Sequence, residues 1–167
     1  MLILMRTLVV VALLFASSAA YSADRLVVEL SNRLAEADVA AVNAYLSANW
    51  ETKMARLGRL VRSCDRGALG LSVRLLETTN LEALQGHVYS LELAMGRCPE
   101  TLLPIVPSAH VKSLCAINAY VEKHPAAKPL AELDRRVRSI RKLGVLAASP
   151  NGKDCIAAYA AAKQSLQ

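Results

Sequence analysis

The chain has 167 residues, 54% of them hydrophobic, 20% charged and only 4% aromatic, and its 20 Lys+Arg outnumber 14 Asp+Glu for a formal charge of +6. This length suits one globular domain rather than two. The composition excludes collagen-like repeats, low-complexity disorder and a basic nucleic-acid tail.

Residues 1–22 read as a secretory signal peptide. Arg6 supplies the positive charge, Thr7 to Ala16 form an apolar run, and Ser17, Ser18, Ala19 and Ala20 follow as small residues. Small residues at the required positions allow a cut after Ala20 or after Ser22. The run falls short of the ~20 apolar residues a membrane helix needs. Charges interrupt every later apolar stretch, so no transmembrane segment is expected after signal removal. The signal has a bacterial look, which places the mature chain in the periplasm or outside the cell.

Residues 23–167 read as a single all-α domain, an irregular bundle of about six to eight helices. A first helix runs from about Asp24 to Ala37, with Asp24 as its cap. From Val39 to Leu75 apolar residues recur every three or four positions, including Leu46, Trp50, Leu57, Val61 and Leu71. This stretch is expected to break near Ser47–Asn49 and again near Asp65–Gly70. Trp50 lies on the inward stripe and is expected in the core. Asn80 caps the next helix, which carries Leu81, Leu84, Val88, Leu91, Met95 and Cys98.

Residues 99–107 hold Pro99, Pro104 and Pro107 and form an irregular connector between two halves. Ser108 is expected to cap a helix reaching about Lys123. Another helix spans about Leu130 to Ala147. Ser149, Pro150, Asn151 and Gly152 read as a turn, and Asp154 to Gln164 as a last, Ala-rich helix.

Cys64, Cys98, Cys115 and Cys155 are an even set in an oxidising compartment, which reads as two disulfides. Each half is expected to contain an antiparallel helical hairpin. Cys64 and Cys98 flank the turn at 77–80 about equally, so a staple across that hairpin favours Cys64–Cys98. Parallel helices in the second half favour Cys115–Cys155. The rival is Cys98–Cys115 with Cys64–Cys155.

The residues select little chemistry. No metal-ligand spacing, phosphate loop or nucleophile elbow is present, so no catalytic, metal or cofactor site is assigned. Ser108 and His110 are close in sequence, but no third group orients them. Glu77, Glu82, Glu92 and Glu100 are acids that no local motif singles out. His87 and His124 read as structural. Arg59, Arg62 and Arg66 fall opposite an apolar stripe. Arg135, Arg136, Arg138, Arg141 and Lys142 are denser, and Arg135, Arg138 and Lys142 share one helical face, a candidate docking patch for an acidic partner. Nucleic acid is not an expected partner, because stacking aromatics are missing.

In broad type the chain resembles small exported helical proteins with two disulfides, which include immunity proteins against secreted toxic effectors, assembly factors and inhibitors. That likeness rests on size, export and class, and it carries no site residues. The expected function is a periplasmic protein-binding module, in its most concrete form an immunity or inhibitor protein that occludes a partner. The alternatives are an envelope assembly or structural factor, or a small cell-wall hydrolase using carboxylates. The hydrolase would show a cleft holding two acids, one with a raised pKa. An assembly factor would show a large exposed apolar patch.

Overall fold

The computed structural model describes residues 24–124 and 128–167, so the signal-peptide reading lies outside the described residues. The described residues are all-α: eleven α-helical segments and one π-helical turn, without strands. None of these helices is long and apolar enough to cross a membrane.

Polar caps set the first boundaries. Helix α1 (Arg25–Glu36) starts where the Asp24 carboxylate accepts the Leu26 N–H at 2.8 Å. Its buried stripe is Leu26, Val27, Leu30 and Leu34. Helix α2 (Val39–Ala48) starts at Asp38, which accepts the Ala41 N–H at 2.7 Å. The long apolar repeat that follows is cut into pieces. A π-helical turn, Trp50–Met54, leads into α3 (Ala55–Arg62), and α4 (Arg66–Arg74) comes next.

The break after α3 has a specific cause. The Cys64 N–H donates to the Val61 carbonyl and the Asp65 N–H to the Leu60 carbonyl, at 2.9 and 3.1 Å. This is a Schellman closure, and it needs a left-handed residue at Cys64, whose φ is 66°. Asp65 then caps α4 through the Ala68 N–H at 2.8 Å. The chain therefore reverses, and α4 is a return helix.

Asn80 caps α5 (Leu81–Met95) through the Ala83 N–H at 3.0 Å. The proline connector holds one short helix, α6 (Pro99–Leu102), with Pro99 in its first turn. The expected helix from Ser108 to Lys123 is two: α7 (Ser108–Leu114) and α8 (Asn118–Lys123). Ser108 is the first helical residue rather than the cap, which is Pro107. Helix α9 (Pro129–Arg141) and the short α10 (Val145–Ala148) meet at Gly144, whose φ is 55°. The last helix, α11 (Pro150–Ser165), begins earlier than expected. Ser149 caps it through the Gly152 N–H at 3.1 Å, and Pro150 opens its first turn. The segment read as a turn is thus a helix start.

The return helix changes the directions in the first half. Trp50 and Met54 lie against Gly86, Gly58 lies against Ser90, and Cys64 bonds to Cys98. Contacts that advance together along both segments mean that α3 and α5 run parallel. The expected antiparallel hairpin stapled across 77–80 is corrected accordingly. The disulfide ties two C-terminal helix ends together.

In the second half Cys115 bonds to Cys155. Cys115 closes α7 rather than opening a long helix, and Cys155 sits early in α11. The Asn151 amide donates to the Leu103 and Val106 carbonyls at 2.9 and 2.8 Å, which ties the connector to the start of α11. Helix α9 lies antiparallel to α11, with Asp134 paired to Lys163 at 2.7 Å. A continuous cluster of buried side chains joins both halves, from Leu30 and Leu57 through Leu91 and Leu114 to Ile140 and Tyr159.

Candidate functional site

Three polar constellations stand out, and solvent access separates them. The first is Ser72, His87 and Asn43. The Asn43 amide donates to the Leu75 carbonyl at 3.0 Å, so its oxygen is left to accept. His87 Nε2–H donates to that oxygen at 2.9 Å, and the Ser72 hydroxyl donates to Nδ1 at 2.8 Å. The order Ser–His–Asn is that of a nucleophile, a base and its orienting group. All three side chains are sealed, however, with His87 at 1% exposure and the others at 0%. Burial pushes the His87 imidazole down to about 4. The chain of bonds cross-links α2, α4 and α5 inside the core, and no substrate reaches it.

The second constellation lies under α9. Arg136, a member of the dense basic group but not of its expected shared face, is 2% exposed. It donates to Glu132 at 2.8 Å, to the Ala116 carbonyl at 3.0 Å and to the Glu92 carbonyl at 3.3 Å. Its guanidinium also lies 5.5 and 5.8 Å from the Tyr120 and Tyr159 rings. Arg135 chelates Glu132 and donates to the Gly96 carbonyl at 3.0 Å. Two cations thus meet the C-terminal end of α5, where the helix dipole favours them. Burial works against the Glu132 carboxylate, yet the two arginines hold it below the ordinary glutamate range. The spacing Glu132–Arg136 was the signal in the sequence, an i,i+4 pair. Of the expected docking trio, Arg135 is half exposed and pairs with Glu132. Arg138 and Lys142 are exposed and form no salt bridge among the described residues.

The third is an open groove of about 950 Å³ between the π turn with α3, α5, and the α7–α8 corner. This volume is in the range of ligand sites. Two helix-interior glycines shape its floor. A Cβ on Gly86 would lie 2.8 Å from the Trp50 indole, and one on Gly58 would lie 2.7 Å from Ser90 Oγ and 3.0 Å from the Arg62 guanidinium. Each glycine weakens its helix by roughly 1 kcal/mol relative to alanine. What each gains is room for one groove side chain. Trp50 is therefore a half-buried wall of the groove rather than a core residue, and the π turn is what presents it.

Charge in the groove is divided. Arg59 and Arg62 come from α3. Glu92 comes from α5, and Glu122 from α8. The Glu92 carboxylate accepts the Ala119 and Tyr120 N–H groups at 3.0 and 3.2 Å, capping α8 from another helix. Burial raises its pKa in spite of those bonds. Burial also pushes the Arg62 guanidinium down, with Arg59 adding like-charge repulsion. Arg62 donates to Ser90 Oγ at 3.3 Å and has no carboxylate in salt-bridge range among the described residues.

The other sequence candidates disperse. Glu77 pairs with His110 at 3.2 Å. His124 ends α8 and packs on Tyr120, with ring centroids 4.9 Å apart. Among the described residues no group of three or more His, Cys, Asp or Glu is arranged to hold a metal ion.

Sequence reasoning passed over Gly58 and Gly86. The available signal was a glycine inside each helical repeat, which marks a close approach. Comparisons with protein-family models, curated proteins and solved structures yield no match for this chain.

Proposed function

We propose that the protein is an exported periplasmic protein-binding module, an immunity or inhibitor protein that occludes its partner by seating part of it in the α3–α5–α8 groove. The observation that carries this reading is the groove itself. It is preformed, its floor is opened by two glycines, and it sets Trp50, Met54 and Leu84 beside Arg59 and Arg62. An aromatic anchor and arginines in a concave surface are the usual energetic centre of a protein interface. The Cys64–Cys98 bridge ties the ends of the two helices that form the floor, so little ordering remains to oppose binding. Arg138 and Lys142 add exposed positive charge that speeds encounter with an acidic partner.

One observation favours a second reading. The groove holds two acids, Glu92 and Glu122, and the Glu92 pKa is raised by burial, as a small cell-wall hydrolase requires. Against it, both Glu92 oxygens already serve as the cap of α8.

The test is affinity capture of the mature, oxidised protein from envelope and secreted fractions, read by mass spectrometry. One stoichiometric secreted toxin or hydrolase, whose activity falls when the protein is added, supports the leading reading. A stoichiometric component of envelope machinery replaces it with an assembly role. An empty eluate rejects partner binding, and cell-wall substrates then test Glu92→Gln against the native protein.

A further inference from the structure

The described cations divide into two kinds. Arg33, Lys53, Arg56, Arg135, Arg136 and Lys163 each have a carboxylate within salt-bridge distance. Arg62 does not, although it is half-buried and lies beside a second arginine. Withdrawing a guanidinium from water without a counter-charge is unfavourable. Neither acid of the groove relieves it. Glu92 is bound to the α8 N–H groups, and Glu122 lies on α8, where its charge acts on Tyr89.

The apolar part of the groove is adjacent. Arg62 lies one turn beyond Gly58 on α3. The π turn before α3 carries Trp50 and Met54 over Gly86. A ligand that reaches both must carry an anion and an apolar group close together.

We infer that the groove reads an acidic side chain flanked by apolar side chains on a segment of the partner protein, the carboxylate lying on Arg62 and Ser90 and the apolar neighbour on Trp50 and Met54. This rests on the protein-binding reading and specifies what the site recognises. Arg59 strengthens the field at the same end. Glu122, whose charge reaches Tyr89 as that of Arg62 does, disfavours a segment with a second acid beside the first. Gly86 is a specificity residue in this scheme, because it sets how deep the indole lies.

The probe is the peptide acetyl-Ala-Leu-Glu-Leu-Ala-amide, compared with its Gln and Lys analogues. Trp50 is the single tryptophan of the chain, so its emission reports on the groove alone. The Glu peptide is expected to shift that emission saturably. The Gln analogue should bind at least about tenfold more weakly, the loss of one charge-assisted contact, and the Lys analogue more weakly still. In Arg62→Met, folding checked by circular dichroism, the preference for Glu over Gln should disappear. Arg62→Lys should restore part of it. Gly86→Ala should displace the indole and weaken all three peptides.

Equal binding of the Glu and Gln peptides to the native protein overturns the inference, as does a Glu preference that survives in Arg62→Met. The capture experiment separates this failure from failure of the broader reading. If native and Arg62→Met baits retain the same partner equally, the protein binds a partner but not by this contact. If the native bait retains nothing, partner binding itself fails.

Discussion

Protonating His87 means placing a positive charge in the core, where solvent cannot hydrate it. Its folded pKa of about 4 lies below the ordinary value of 6.5, so the unfolded chain binds the proton more readily. The stabilisation is fully present above pH 6.5 and is lost as pH falls from there towards 4, by about 3 kcal/mol in all. Urea denaturation at a series of pH values should show that slope, and in His87→Gln the slope should flatten. A His87 midpoint near 6.5 in an NMR titration would contradict the sealed geometry. Arg136 makes the complementary case. Replacing it with Met removes one partner of a buried pair and leaves two carbonyls without their donor, which should cost about 3–5 kcal/mol. Lys142→Ala, at the exposed C-terminal cap of the same helix, should change stability by no more than about 0.5 kcal/mol. Urea midpoints that move equally for the two would refute this division of the basic cluster. At this scale the sequence was least informative. Arg136 reads as one more cation in a basic cluster, and nothing local says that Glu92, Ala116 and Tyr159 surround it.

Helix ends were read more easily where one side chain decides them. Asp24 and Asn80 are caps in both sequence and structure, because capping is a contact over two or three residues. The end of α7 at Cys115 and the early start of α11 were not legible. The first depends on the docking of α8 onto Glu92, and the second on a serine cap followed by proline, which also reads as a turn. Leu81 was expected inward at the start of α5 yet is 72% exposed. The Schellman closure of α3 offers a direct test of local strain. A non-glycine residue in the left-handed region costs about 1–2 kcal/mol. With the disulfide removed, Cys64→Gly/Cys98→Ala should therefore be about 1 kcal/mol more stable than Cys64→Ala/Cys98→Ala. Equal denaturation midpoints for the two would mean that Cys64 leaves this conformation once the bridge is gone.

For the whole molecule, the two bridges close segments of 34 and 40 residues. The loop-entropy model gives each on the order of 4 kcal/mol. Among the described residues the buried core holds Tyr159 but no tryptophan or phenylalanine, so the bridges carry a large share of the stability. Reduction should lower the melting temperature substantially, and an unchanged melt would show that neither bridge is structural. The all-α class was legible because it follows from period and composition. The direction of the helices was not. Cys64 meets Cys98 through parallel α3 and α5 rather than through the antiparallel hairpin the spacing suggested, since a single residue at positive φ inserts a return helix. The groove exists only because of that parallel pairing, which brings Gly58 and Gly86 to one floor.

Both bridges also join cysteines that are consecutive in the chain. A polypeptide emerging N-terminus first presents Cys98 to Cys64 before Cys115 has appeared, and Cys155 arrives when Cys115 is the one thiol left. Synthesis order alone therefore dictates correct pairing, and oxidation can keep pace with emergence without an isomerase to reshuffle it.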